Sequence, residues 1–234
     1  MRFCISIMML YIAVAFASCR KDTSGSQPML VQSIGIDSNQ CPINFTYDAQ
    51  NRLTSIIQCD TSETYTYSHD SVIDIKMMIN EDVLLYKNTY LLNTAGLAKG
   101  YFKLGGDGSV AAYVLTYDAA GHRLSSIDTM HVNTSDIYVV QNNDIISEQS
   151  TSSVTGVSFF LNTTYYPNTI NRISNVNFGL TFLGASSADL KRTDSYAGLS
   201  TMNYTYQLDV NNGISQRTTT INGVVTEVRN YTYY

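Results

Sequence analysis

The chain has no tryptophan, only 3 prolines and four glutamates, and charged side chains make up just 14% of it. Globular domains usually carry about a quarter charged residues, so the polar surface here must come from neutral side chains. Serine, threonine and asparagine supply it, with 25, 25 and 19 copies among 234 residues. Scarce glutamate argues against a helical bundle, which draws on Ala, Leu, Glu and Lys. Lys and Arg number 14 against 19 acids, a net charge of −5, which argues against a nucleic-acid partner because that needs a basic patch. Disorder is also excluded: aromatic residues reach 11%, and tyrosine alone occurs 18 times. Threonine and tyrosine favour strands.

Long hydrophobic runs are missing too, with one short exception. Phe3 to Ala17 is almost unbroken apolar sequence behind Arg2. It falls short of the roughly 20 residues that span a bilayer and fits a secretory signal peptide over residues 1–18. The segment ends in Phe16-Ala17-Ser18-Cys19, which resembles the bacterial lipobox, with Phe16 where leucine is usual. That resemblance implies a lipidated Cys19 and a membrane contact through its acyl chains, two or three of which anchor stably. An ordinary signal peptide with an incidental Cys19 is the alternative. Residue 20 is Arg rather than Asp, so the usual inner-membrane retention signal is missing. Arg20-Lys21-Asp22 and the Ser/Thr/Gly residues after it resemble the tether of surface-exposed Bacteroidetes lipoproteins. The expected organisation is a signal peptide (1–18), lipidated Cys19 with a flexible tether (19–29), and one all-β domain (30–234). The expected location is the outer membrane of a Gram-negative bacterium, at the cell surface.

Of the four cysteines, Cys4 leaves with the signal peptide and Cys19 is assigned to lipid. Cys41 and Cys59 lie symmetrically about a proposed hairpin loop near residue 50. Strands on either side would bring them opposite each other or one residue out of register. A disulfide and a pair of small buried thiols are both compatible with that placement. Neither is part of a CxxC pair.

The informative feature is a recurring hairpin. Phe45-Thr46-Tyr47-Asp48-Ala49-Gln50-Asn51-Arg52-Leu53 returns, one residue longer, as Leu115-Thr116-Tyr117-Asp118-Ala119-Ala120-Gly121-His122-Arg123-Leu124. Each reads as strand, tight loop, strand. Asp48 and Asp118 can accept loop amides, while Asn51 and Gly121 suit a left-handed backbone. Weaker copies surround Asn93, Asn142, Asn168 and Asp209, and Ile221-Asn222-Gly223-Val224 is a strong two-residue hairpin signal. That last turn would pair Thr219 with Thr226 and Ile214 with Tyr231. Tyrosines 47, 67, 90, 117, 138 and 165 recur at about the length of two strands and their turns. The expected fold is therefore an antiparallel up-and-down meander of about 14–16 strands, strongly curled or barrel-like. One short helical or loop insertion is expected near 183–192, where Ser186 or Ser187 could start a turn through Leu190; the stretch Phe178 to Arg192 reads as a long loop or, alternatively, as a plug, a lid or a connection across one end.

At these residues the chain resembles two families. The Tyr-Asp hairpins are similar to those of YD-repeat proteins. The closer resemblance is to Bacteroidetes outer-membrane lipoproteins of a family of unknown function with a porin-like fold, on the lipobox, the Tyr-Asp hairpins and Leu183 to Leu190. It implies a curled up-and-down sheet and carries over no catalytic residues.

Chemistry is hard to find. No zinc-protease, nucleophile-elbow, phosphate-loop or calcium-loop motif is present. No metal or cofactor is expected. His122 falls in a turn, where solvent is expected around it, and Ser68-His69-Asp70 reads as a turn. Sequence cannot nominate a glycosidase carboxylate pair among 15 Asp and four Glu. Tyrosine rows Tyr65/Tyr67, Tyr204/Tyr206 and Tyr231/Tyr233 each share a face; they could pack across strands or meet a ligand. The leading expectation is a non-catalytic surface lipoprotein that binds a glycan, peptide or protein partner. A lipid-anchored hydrolase and a true transmembrane β-barrel are the alternatives.

Overall fold

The structure, a computed structural model, describes residues 29–36, 41–131, 134–151, 155, 157–197 and 199–234. The signal peptide, Cys19 and nearly all of the tether lie outside the described residues. Sixteen strands follow in chain order: β1 (Val31–Ile36), β2 (Ile43–Tyr47), β3 (Leu53–Gln58), β4 (Thr61–Tyr67), β5 (Ser71–Met78), β6 (Val83–Leu92), β7 (Ala98–Gly105), β8 (Val110–Tyr117), β9 (Arg123–Asp128), β10 (Ser135–Gln141), β11 (Asp144–Thr151), β12 (Ser158–Ile170), β13 (Asp189–Tyr196), β14 (Thr201–Leu208), β15 (Ile214–Ile221) and β16 (Val224–Tyr233). Every strand pairs antiparallel with its chain neighbours. β1 also pairs with β16, through Ile34↔Tyr231 and Ile36↔Arg229, and closes the sheet into a barrel. Closure removes both sheet edges, which an open sheet of this size would leave unpaired.

One turn chemistry is used four times at one end of the barrel. Asp48, Asn93, Asp118 and Asp209 each accept, through one side-chain oxygen, the amides two and four residues ahead, at 2.7–3.0 Å. The third residue after each, Asn51, Gly96, Gly121 or Asn212, has φ between 60° and 89°. A ladder bulge falls beside each turn, at Thr46/Tyr47, Leu91/Leu92, Thr116/Tyr117 and Gln207/Leu208. This is the hairpin in which a type I turn passes into a left-handed residue. The last hairpin keeps its Asn222-Gly223 turn, with Ile221 opposite Val224. Further along, a bulge at Thr219/Thr220 sets Thr219 against Glu227, not Thr226, and Gln216 against Asn230. The bulge absorbs one residue, so the expected Ile214–Tyr231 pairing is lost. At the other end, a disulfide joins Cys41 to Cys59 with Cα atoms 5.3 Å apart.

The irregular segment lies between β12 and β13 and enters the barrel as a plug. Its only described helical part is a three-residue 3₁₀ turn, Thr181–Leu183. The helix turn expected from Ser186 or Ser187 does not form, and Asp189–Tyr196 is strand. Both serines accept backbone amides from elsewhere: Ser186 from Asn175 at 2.9 Å and Ser187 from Ile145 at 3.0 Å. The plug is stitched to the turn end of the wall. The Val31 and Leu53 amides donate to the carbonyls of Asn177 and Gly179, and the Ala185 amide to that of Gly121. It covers His122, which is 3% exposed rather than solvated and lies 3.0 Å from Asp118. Phe182 packs with Val72, Ala98 and Leu115, while a second cluster gathers Val31, Ile34, Phe45, Leu53, Leu190, Ile214 and Tyr231.

Alternation sends one residue in and the next out, and the outer wall has two characters. β5 to β10 point Ile73, Ile75, Leu91, Phe102, Leu104, Val114, Ile127, Ile137 and Val139 outward. β12 to β16 and β1 to β4 present mainly hydroxyls and amides. Thr164–Thr193, Thr46–Ser55 and Ser33–Thr232 are hydrogen-bonded across strands at 2.7, 2.7 and 2.9 Å.

Candidate functional site: the barrel lumen

The spaced tyrosines converge inside the barrel. Tyr47, Tyr67, Tyr90, Tyr117, Tyr138 and Tyr165 lie on β2, β4, β6, β8, β10 and β12, toward the turn end. Each hairpin adds two strands, so the same position in every repeat returns to the same end of the barrel. On the β4 to β8 side these rings close on the plug. Tyr67 and Tyr90 meet Phe182 edge-on with centroids 6.3 and 5.0 Å apart, and Tyr101 stacks on Tyr113 at 4.5 Å. Around Phe182 that side of the lumen is filled, with clefts left only toward its two ends, beside Tyr117 and beside Lys103 and Tyr113.

The β9 to β15 side is hollow. Between the wall and the plug lies a cavity of about 400 Å³ whose lining includes Arg123, Tyr138, Glu148, Lys191, Tyr204 and Arg217. Most of its charges are tied to neighbours. Asp194 accepts from Thr163 at 2.7 Å, Tyr204 at 2.8 Å and Lys191 at 3.0 Å. Glu227 accepts from Arg217 and from Arg229, both at 2.8 Å. Burial works to raise the Glu227 carboxyl, but the hydrogen bonds from the two arginines outweigh it and hold it below the usual Glu range. Arg123 stands 5.6 Å from the centre of the Tyr138 ring, and Arg217 stands 5.5 Å from that of Tyr204. Glu148 is raised above the usual Glu range by burial first and Asp136 second, with Arg123 and Lys191 opposing. Burial pushes the phenols of Tyr138 and Tyr165 up to about 12, so both keep their protons near neutrality; Tyr165 donates to the Ile145 carbonyl at 2.6 Å.

Tyrosines singled out in the sequence fall in three settings. Tyr65 donates to Glu63, and Tyr67 carries Arg52 over its ring at 4.4 Å; both are on the filled side. Tyr204 and Tyr206 line the cavity, with hydroxyls on Asp194 and on the Lys191 carbonyl. Tyr231 is buried in the core, and Tyr233 donates to the Ile214 carbonyl. The charged lining was not anticipated. Its signal was an isolated charge at an inward position of a polar strand, such as Arg123 after its turn or Glu148 in β11. Among the described residues, no group of three His, Cys, Asp or Glu side chains could hold a metal ion. Nor is any helix there long and apolar enough to cross a membrane.

No family model and no curated protein matches the chain. Solved structures do. It is similar to a porin-like protein from Bacteroides uniformis ATCC 8492, with a TM-score of 0.67 and 17% identity over 90% of this chain and 100% of that one. It is also similar to a porin-like protein from Bacteroides vulgatus ATCC 8482, with a TM-score of 0.60 and 13% identity over 88% and 99%. Likeness at these identities establishes shared architecture: this chain has the porin-like fold, a closed antiparallel barrel.

Proposed function

We propose that the protein is a non-catalytic lipoprotein of the outer membrane, anchored through Cys19, whose lumen binds a small polar ligand. The observation that carries this reading is the cavity of about 400 Å³ between wall and plug, lined with tyrosines and charged groups. Binding pockets commonly fall between about 300 and 1,000 Å³. The outer wall supports anchoring over insertion. A membrane-spanning strand needs roughly 9–11 residues and an apolar outward face. β2, β3 and β9 have 5, 6 and 6 residues, and more than half the wall presents hydroxyls.

Two other readings have support of their own. The apolar outward face of β5 to β10 favours a spanning barrel, and Asp136 beside Glu148 in the lumen favours a hydrolase with two carboxylates. A Cys19→Ala form without the signal peptide decides the first. It is expected to stay folded and monodisperse in buffer; a need for detergent would establish the spanning barrel instead. Release of nitrophenol from a panel of nitrophenyl glycosides, lost in Glu148→Gln, would replace binding with hydrolysis.

A further inference from the structure

The cavity contains a mismatch that points to its ligand. Five side chains charged at neutral pH line it: Arg123, Glu148, Asp189, Lys191 and Arg217. Lys191 pairs with Asp194, Arg217 with Glu227, and Asp189 accepts the Asn168 amide at 3.1 Å, although the buried Asp189 Oδ1 and Arg217 Nε each keep no partner. Arg123 and Glu148 are the two that make neither an ion pair nor a hydrogen bond among the described residues; Arg123 lies by the Tyr138 ring, and it and Glu148 attract each other only beyond contact distance. Both are partly buried. Partial burial of a charged group without a hydrogen-bonding partner is costly, and a ligand that supplies one recovers that cost.

The two free groups have opposite signs and complementary chemistry. A carboxylate only accepts, while a guanidinium only donates, in a fork. A ligand of single charge would satisfy one and be repelled by the other. A vicinal diol serves both, because each hydroxyl donates and accepts. Tyrosine rings suit the apolar face of a sugar ring. Resting on the lumenal-binding reading above, we propose that this cavity is a site for a neutral mono- or disaccharide, held through its hydroxyls by Arg123 and Glu148 against Tyr138, Tyr165 and Tyr206. An amino acid would match both signs but leave much of the cavity and its tyrosine wall without contact.

The intact chain, titrated calorimetrically, tests this. Probes are maltose, cellobiose and lactose, with galacturonate, glucosamine and glycylglycine as charged competitors. Tyrosine emission is a second readout, since no tryptophan masks it. At least one neutral disaccharide is expected to bind saturably. Glu148→Gln and Arg123→Gln should each weaken it at least tenfold, with circular dichroism unchanged. Leu161→Phe, which narrows the cavity without touching a charge, should do the same if either variant folds poorly. Lys103→Gln, elsewhere in the lumen, should leave the affinity as it is. Binding of the charged probes alone would overturn the neutral-saccharide assignment while keeping the lumen as a binding site. Silence from every probe, with the fold intact, would overturn both. Disaccharide binding indifferent to Arg123, Glu148 and Leu161 would overturn the site.

Discussion

The two sides of the lumen are built from the same hairpin and end up different. Around β4 to β8, inward tyrosines meet the aromatic part of the plug, and Phe182 is 4% exposed among Val72, Ala98 and Leu115. Around β9 to β15, the plug presents Ala185, Ser186 and Ser187, small side chains that touch the wall only through hydrogen bonds such as those of Ser187 with Ile145 and Tyr165, and a cavity remains. The outer surface changes too, from apolar over β5 to β10 to hydroxyl-rich beyond. Rigid packing and an open, polar chamber thus coexist in one closed sheet. The filled side and the cluster around Leu53 and Ile214 supply buried apolar packing, and the hollow side leaves room for a ligand.

The largest test of that contrast is paired truncation. Phe182→Ala should lose about 3–5 kcal/mol of unfolding free energy in urea, the usual cost of removing a buried phenyl ring. Leu161→Ala beside the cavity should lose only about 1 kcal/mol, because one flank already lacks partners. Equal losses would erase the distinction between the sides.

Acid titration sharpens it through two carboxylates shifted in opposite directions, Asp74 on the filled side and Glu227, which holds the cavity's Arg217. On the filled side, burial first and Glu63 second raise Asp74 from an ordinary 3.8 to about 6, with bonds from Asn88 and Tyr90 opposing. A raised folded value means that its stabilising contribution is complete below 3.8 and lost as pH climbs through about 6. Asp74→Asn should therefore gain about 1–2 kcal/mol at pH 7. The buried Asn88 Oδ1, which has no partner, can turn to accept the new amide. Glu227 has the opposite sign. Its depressed folded value makes its contribution complete above the ordinary Glu range and lost as pH falls through the folded value. Glu227→Gln should cost about 1–2 kcal/mol at pH 7 and flatten the acid limb of the stability curve.

The smallest effects belong to the outer wall. Thr218→Val on the hydroxyl face should change the urea midpoint by the equivalent of no more than about 0.5 kcal/mol. The reverse exchange, Val114→Thr on the apolar face, should do the same if that face meets only water. A much larger loss for Val114→Thr in membranes than in buffer would show that lipid covers it.

Much of this architecture was legible because its causes are local. Asp48 and Asp118, each with its left-handed residue three places on, announce their own turns. The tyrosine spacing counts two strands per repeat without any tertiary information. The plug was harder. Phe178 to Leu183 has no strand alternation and reads as a loop, because the partners that order it, such as Tyr67 and Tyr90, lie about a hundred residues away. His122 was misplaced for the same reason: its turn is ordinary, but the plug lies over it. The cavity was invisible for a further reason. Arg123 and Glu148 matter because they lack partners, and no single stretch of chain shows that.

By itself, then, the sequence determined the strands, their antiparallel order and most of the turns, since these depend on contacts within about a dozen residues. Tertiary structure alone decided that β16 returns to β1, that the segment before β13 turns inward, and which charges are left facing empty space. Those outcomes depend on how groups far apart in the chain fill a common volume, and packing of that kind leaves little local trace.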